Sequence, residues 1–128
     1  MGQQQLLLIV LGVIIVGIAV VVGINVFTAS SSQANRDGVI ADLTNLASLA
    51  QQHYRKPTAL GGGGNAFTGW TIPGALDTTG NGTYAVTVAA QSVTLVGTGN
   101  EKGNNGTSAV KATMVVGPNA ITSTTINN

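Results

Sequence analysis

The chain of 128 residues contains only 7% charged residues and carries a formal net charge of +1. Its five basic residues are scattered, so the sequence lacks the basic patch typical of nucleic-acid-binding proteins. It contains no cysteine, which excludes disulfide bonds, thiolate metal sites and haem attachment through a Cys-x-x-Cys-His motif. We therefore predict no nucleic-acid partner and no cofactor.

The chain begins with a long apolar segment, because the nineteen positions from Leu6 to Ile24 contain no polar side chain. A helix of about 20 residues is long enough to cross the hydrocarbon core of a bilayer. No proline occurs before Pro57, so the sequence predicts one helix from about Gln3 to about Arg55.

The first 35 residues carry no charged side chain. A secretory signal peptide has a basic start, a short apolar stretch and a small-residue cleavage site, and the sequence does not fit this pattern. An ordinary anchor usually has lysine or arginine on its cytoplasmic flank, whereas Gln3, Gln4 and Gln5 offer only amides. We expect either that a basic leader was removed ahead of Met1 or that another factor sets the orientation.

The predicted helix changes character after the apolar segment. From Thr28 to Arg36 the residues are small and polar, which fits either a flexible tether or a helix that is polar all round. Alanine and glutamine favour the helix. Beyond this stretch, apolar residues recur at three- and four-residue spacing and predict one helix face that packs on a sheet. They are Val39, Ile40, Leu43, Leu46, Ala47, Leu49 and Ala50.

Glycine, threonine and asparagine dominate downstream of Pro57. The run Gly61–Gly64 is too permissive for regular structure, and no Gly-Lys-Ser or Gly-Lys-Thr follows it to make a phosphate loop. We predict a connecting loop, in which Phe67 and Trp70 either pin the loop to the core or stack on a ligand.

The last part of the chain predicts an antiparallel meander of four strands. Their marker residues are Tyr84, Val86 and Val88, then Val93 and Leu95, then Val110, Ala112, Met114 and Val116, and finally Ile121–Ile126. Between them, Gly97–Gly106 predicts a long polar loop and Gly117–Asn119 a compact turn.

The predicted fold class is α+β, with a long N-terminal hydrophobic helix whose C-terminal half packs on a small antiparallel β-meander. The predicted regions are a hydrophobic assembly or membrane helix, its amphipathic continuation, a Gly-rich connecting loop and the antiparallel sheet. Their boundaries are 1–27, 28–56, 57–82 and 83–128.

This layout resembles that of type IV pilins. Residues Met1 through Ile24 look like the start of processed pilins, in which a few residues precede a hydrophobic helix that bundles at the filament centre. The resemblance implies a structural subunit of an extracellular filament, or fimbrium, at the cell surface. It also implies that the chain lies in the inner membrane before assembly and depends on a pilus assembly machinery.

At the N-terminus, Gln5 stands where pilins usually have a glutamate that neutralises the α-amino group of an adjacent subunit. Met1 and Gln5 are therefore the candidate residues for N-terminal registration. Assembled pilins often unwind a short stretch of this helix. The resemblance thus implies local melting at Gly12, Gly17 and Gly23, and each of these glycines costs about 1 kcal/mol of helix propensity relative to alanine.

Burial of the apolar helix among like helices would drive the chain to polymerise with copies of itself. The candidate filament-core residues are Leu6, Leu7, Leu8, Ile9, Val10, Leu11, Val13, Ile14, Ile15, Val16, Ile18, Val20, Val21 and Val22. Two alternatives remain open: a minor pilin or pseudopilin of a secretion system, and a single-span membrane-anchored domain that binds a surface partner.

Enzymatic motifs are absent from the sequence. His53 is the one histidine, and the four acidic residues are widely separated, so we predict a protein that is not an enzyme. Two Asn-Gly-Thr triplets, beginning at Asn81 and Asn105, fit either N-glycosylation or ordinary turns.

Overall fold

The structure, a computed structural model, describes residues 2–128. Helix α1 spans Gln3–Arg55 and is followed by a 3-10 turn at Thr58–Leu60. Five strands come next: β1 Thr78–Thr79, β2 Gly82–Val88, β3 Val93–Lys102, β4 Ala109–Val116 and β5 Ile121–Ile126. Each strand pairs antiparallel with the next in chain order. The α+β fold class predicted from the sequence is confirmed.

The described chain divides into two compact units, one ending at Ser31 and the other beginning at Ser32. Residues 2–31 are entirely helical apart from Gly2. Residues 32–128 contain the rest of α1 and the whole sheet. The segment Thr28–Arg36 is helical, so the structure has the polar helix and not the flexible tether.

The core of the second unit lies between α1 and one face of the sheet. The predicted helix stripe supplies its buried residues on one side, with Ile40 and Leu49 partly buried at its margin. The other side comes from alternate residues of the strands, which point to one face of a sheet. The fully buried residues of the core include Val39, Leu43, Leu46, Ala50, Val93, Leu95, Met114 and Val116. Each valine, leucine or methionine side chain of this set contributes about 1.5–3 kcal/mol when it is fully buried.

The connecting segment between helix and sheet is held by its aromatic residues. Phe67 is fully buried, and its ring lies 4.9 Å from that of Tyr54, measured between centroids. The Phe67 backbone N–H donates to the carbonyl oxygen of Ala90 at 2.9 Å, and Trp70 is also buried in the core. The prediction that these two aromatics pin the loop to the core is confirmed.

The prediction of a loop over Gly97–Gly106 is wrong for its first six residues, because β3 continues to Lys102. Two glycines of this stretch lie on the inner face, where the helix leaves no room for a side chain. A Cβ atom at Gly97 would lie 2.6 Å from Cγ1 of Val39, and one at Gly99 would lie 2.1 Å from Oδ1 of Asn35. These glycines thus lie where helix and strand approach closely. Glycine within a strand often marks such a close approach of another backbone.

The structure also places a short strand, β1, within the region predicted to be a connecting loop. Its two residues pair with Gly82 and Thr83, and a two-residue turn joins β1 to β2. A strand this short gives no alternation of apolar residues, so sequence periodicity does not detect it.

We expect Gly97→Ala to destabilise the protein by about 1–3 kcal/mol, because the new methyl group must displace Val39 and Tyr84. Urea unfolding of the full chain in detergent, followed by the fluorescence of the single tryptophan, Trp70, measures this loss. Gly74→Ala is the matched control, since a Cβ atom there meets nothing within 4 Å. Equal unfolding midpoints for the two variants would contradict this account of the inner face.

Candidate assembly surface

The first part of α1 exposes its whole apolar surface. Every large apolar side chain from Leu6 to Phe27 is between 50% and 72% exposed, on all sides of the helix. All the candidate filament-core residues belong to this set. From here on, the apolar segment means the residues from Leu6 to Phe27, which extend the nineteen positions defined from the sequence by three residues. A monomeric soluble protein rarely exposes an apolar patch of this extent, which indicates a surface that contacts membrane or protein.

The backbone polar groups of this segment are compatible with an apolar environment. The helix satisfies its own backbone groups, which is the condition for a segment within lipid or within a bundle. At the end of the segment, the Thr28 hydroxyl donates to the carbonyl oxygen of Ile24 at 3.0 Å. By length and composition α1 qualifies as one membrane-spanning helix near the N-terminus, a test that a signal sequence also passes.

The helix is continuous through Gly12, Gly17 and Gly23. A Cβ atom at any of these positions would meet nothing within 4 Å, so no contact among the described residues requires glycine there. Melting on assembly therefore stays a prediction. Gln5 lies exposed in the first turns of α1, whereas Met1 lies outside the described residues, so their registration role is also still a prediction.

A polar network joins the helix to the sheet on the side of Asp42. The hydroxyls of Thr79 and Tyr84 donate to Oδ2 of Asp42 at 2.8 Å and 2.5 Å, and the amide of Asn81 donates to the same oxygen at 3.0 Å. About two turns of α1 before Asp42, the Nδ2 group of Asn35 donates to the carbonyl oxygen of Asn81 at 2.8 Å. Side chains from one helix face thus hold the turn between β1 and β2.

Asn35 also caps the irregular end of β3. Its Oδ1 atom accepts the backbone N–H groups of Asn100 and Glu101 at 3.0 Å and 3.2 Å, where the register with β4 shifts. The Asn35 amide oxygen accepts these two N–H groups in place of the carbonyl oxygens of a neighbouring strand. The side chain is therefore a structural element and not a free binding group.

Arg36 is a buried cation that contacts amide oxygens. Its Nη1 donates to Oε1 of Gln33, and its Nη2 donates to Oδ1 of Asn104, both at 2.7 Å. The Nε atom is buried and has no hydrogen-bond partner among the described residues. Charge-assisted hydrogen bonds offset part of the cost of removing the guanidinium from water, and they hold the loop after β3 against the helix.

The Asp42 network changes the pKa values of two of its members, Asp42 and Tyr84. Burial raises the pKa of Asp42, but the hydrogen bonds from Tyr84, Asn81 and Thr79 outweigh it and hold the pKa below its ordinary value. Burial and the hydrogen bond to Asp42 raise the pKa of Tyr84 well above its usual range. A charged acceptor beside a protonated phenol is suited to holding strands, and neither group is tuned for proton transfer near neutral pH.

The remaining candidate site residues are separated in the structure. His53 is half-buried near the end of α1, and its Nε2 lies 3.3 Å from the carbonyl oxygen of Thr68. Within residues 2–128, no three histidine, aspartate or glutamate side chains come together as metal ligands. Asn81 belongs to the Asp42 network, while Asn105 lies exposed in the loop between β3 and β4.

Sequence reasoning missed the roles of Asn35, Arg36 and Asp42. Their neighbours along the helix form the apolar stripe, but nothing in the periodicity indicates which polar residues face the sheet.

Comparison of the chain with protein-family models, curated proteins and solved structures finds no match. The surface and the network described above therefore carry the functional argument.

We expect Asp42→Asn to lower the free energy of unfolding by about 1–2 kcal/mol at neutral pH, because three donors lose a charged acceptor. The folded carboxyl has the lower pKa, so its contribution is complete above the pKa of an unfolded carboxyl, about 3.9. The contribution of the Asp42 carboxylate to stability declines as the pH falls through the pKa of the folded carboxyl. Urea unfolding at a series of pH values should therefore show the wild type and the variant converging in acid.

The control for this measurement is Asp77→Asn, whose side chain is exposed. The unfolding free energy of Asp77→Asn should equal that of the wild type across the same pH series. A gap between wild type and Asp42→Asn that stays constant down to the most acidic sample would contradict the role assigned to the Asp42 carboxylate.

Proposed function

We propose that the chain is the structural subunit of an extracellular type IV pilus-like filament and polymerises with copies of itself through the apolar segment. The observation that carries the proposal is the single helix α1, whose first part is apolar and exposed and whose second part is buried against the sheet. This is the layout that resembles a pilin. The proposed partners are further copies of the chain, the inner membrane before assembly and an assembly machinery.

The energetic argument favours an assembled or membrane-embedded state for the apolar segment. Fully burying one leucine, isoleucine or valine side chain is worth about 1.5–3 kcal/mol, so the segment as a whole accounts for tens of kcal/mol. Leaving the membrane for water would lose that free energy. A bundle of like helices replaces the lipid with apolar side chains and removes the loss.

The geometry of such a bundle favours an open polymer. Between staggered copies, one part of the apolar segment meets a different part on the next copy. A contact of this kind is heterologous, and it continues into a helical filament unless the rotation closes a ring. The sheet, whose β2, β3 and β4 already bury apolar residues against α1, would face solvent. A minor pilin or pseudopilin of a secretion system uses the same contact in a shorter fibre.

A second candidate function is that of a single-span anchored surface domain. The length of the apolar segment supports it, since about 20 residues cross the hydrocarbon core and the segment has about that length. In that case the segment contacts lipid throughout the life of the protein, and residues 32–128 bind the surface partner. The two candidates differ in whether copies of the segment contact one another.

Cryo-electron microscopy of material from the cell exterior tests the filament proposal directly. We expect helical filaments that contain this chain, with Leu6–Ile24 packed around the axis and residues 83–128 at the outer surface. Recovery of the chain only as membrane-embedded monomers would overturn the filament proposal and leave the anchored domain. The same maps would show which group contacts Gln5.

The glycines of the apolar segment provide a variant that tests whether assembly requires local melting of α1. The triple variant Gly12→Ala, Gly17→Ala and Gly23→Ala fits the helix without a clash and raises helix propensity by about 1 kcal/mol at each position. If assembly requires local melting, filament yield should fall several-fold while insertion into the membrane stays at the wild-type level. Filaments counted by electron microscopy and chain recovered in the membrane fraction measure the two quantities.

The control is Gly74→Ala, another glycine with open space around its Cβ position but outside α1. It should assemble as the wild type does. Normal filament yield from the triple variant would contradict melting at these glycines.

A further inference from the structure

We infer that Asn105 is an acceptor for N-linked glycan and that Asn81, which begins the other Asn-Gly-Thr triplet, is not. The inference rests on the proposed function in one respect, because the loop must be exported to reach a glycosyl donor outside the cytoplasm. The sequence presents the two triplets as equivalent. The structure places them in environments that differ in the hydrogen bonding of the asparagine amide and in the pairing of the residues that follow it.

The side chain of Asn105 is exposed, and its nitrogen is free. Its Oδ1 atom accepts the backbone N–H groups of Thr107 and Ser108, each at 2.9 Å, and the Nδ2 group of Asn128 at 3.2 Å. The Nδ2 atom of Asn105 donates no hydrogen bond to any residue from 2 to 128. Because its oxygen is tied to the backbone, the amide presents its nitrogen away from the loop.

The rest of the triplet is equally accessible. Thr107 is exposed, and its hydroxyl lies 3.4 Å from the carbonyl oxygen of Asn105. Gly106 has a φ of 70°, in the left-handed region that glycine adopts without strain. The loop Gly103–Ser108 joins β3 and β4 without itself pairing in the sheet. A transferase can therefore bind the triplet without breaking a strand.

The triplet at Asn81 differs in its amide nitrogen and in its strand pairing, although Thr83 is exposed as Thr107 is. The Nδ2 group of Asn81 donates to Oδ2 of Asp42 at 3.0 Å, and the side chain is half-buried. A Cβ atom at Gly38 would lie 2.6 Å from Oδ1 of Asn81, which shows how closely the amide contacts the helix. The next two residues, Gly82 and Thr83, pair with both β1 and β3. Modification there would require β2 to leave the sheet.

The chemistry needs a nucleophilic amide nitrogen and an activated sugar. In the transfer, Nδ2 of Asn105 forms a bond to the anomeric carbon of a sugar carried on a polyprenyl phosphate or diphosphate. The bond between that carbon and the phosphate oxygen breaks, the lipid phosphate leaves with the electron pair, and the amide proton passes to a base of the transferase. No oxidation or reduction takes place. A nitrogen already bound to Asp42 must first give up that hydrogen bond, whereas Nδ2 of Asn105 has none to lose.

Trypsin separates the two triplets, which makes the test direct. Cleavage after Lys102 and Lys111 releases residues 103–111 with Asn105. The triplet at Asn81 falls on another peptide, because no lysine or arginine lies between Lys56 and Lys102. The full chain is purified from the cells that produce it, and tandem mass spectrometry with electron-transfer fragmentation assigns the modified atom. We expect sugar on Asn105 and an unmodified Asn81.

Variants of the third position identify the modification as N-linked. Thr107→Ala removes the hydroxyl that the triplet requires and leaves both backbone N–H bonds to Asn105 in place, so we expect complete loss of the glycan. Thr107→Ser keeps a hydroxyl and should retain it. Sugar that persists in Thr107→Ala, sugar on Thr107 or Ser108, or sugar on Asn81 would overturn the inference. An unmodified Asn105 in exported protein, or one converted to aspartate without sugar, would do so as well.

Electron microscopy of the same preparation keeps this inference distinct from the filament proposal. Filaments built from chains with an unmodified Asn105 overturn the glycan site alone. Membrane-bound monomers that carry sugar on Asn105 support the glycan site and overturn the filament proposal.

Discussion

The fold depends on the contact between the second part of α1 and the inner face of the sheet. A meander of five strands has one face that must be covered, and the stripe from Val39 to Ala50 covers the part formed by β2, β3 and β4. The helix comes so close that β3 has glycine at two inner positions, Gly97 and Gly99. Polar residues beside the stripe hold the sheet in position on the helix, because Asn35 and Asp42 form hydrogen bonds with the turn between β1 and β2, and Asn35 also with the end of β3.

The two parts of α1 therefore have different surroundings. In its second part, the apolar residues recur on one face, where Val39, Leu43, Leu46, Ala47 and Ala50 are buried within the chain. In the apolar segment, they cover the whole circumference, and nothing among the described residues covers them. That difference is the physical basis for proposing an environment outside the chain, whether neighbouring copies or lipid. The polar stretch from Thr28 to Arg36 separates the two parts while staying helical.

Glycine and asparagine show how one residue type takes several roles in this protein. A glycine-rich sequence favours loops, and this prediction is wrong at Gly97 and Gly99, where glycine lies in a strand that the helix approaches closely. The sequence offers Asn81 as a turn residue or a glycan acceptor, yet Asn81, like Asn35, is a hydrogen-bonded part of the helix–sheet contact. Which role applies depends on neighbours that are distant in the sequence.

The sequence by itself determined the long helix, its change from an apolar to a one-sided pattern, the α+β class and most of the strands. These follow from local periodicity and from the absence of proline, which need no knowledge of distant residues. Only the tertiary structure decided the extent of β3, the pairing of β1, the burial of Arg36 and the difference between Asn81 and Asn105. The extent of β3, the burial of Arg36 and the environment of Asn81 depend on contacts between residues far apart in the chain, such as Asp42 with Tyr84, and such contacts leave no periodic signal. The pairing of β1 is local, but a strand of two residues is too short to show a periodic signal.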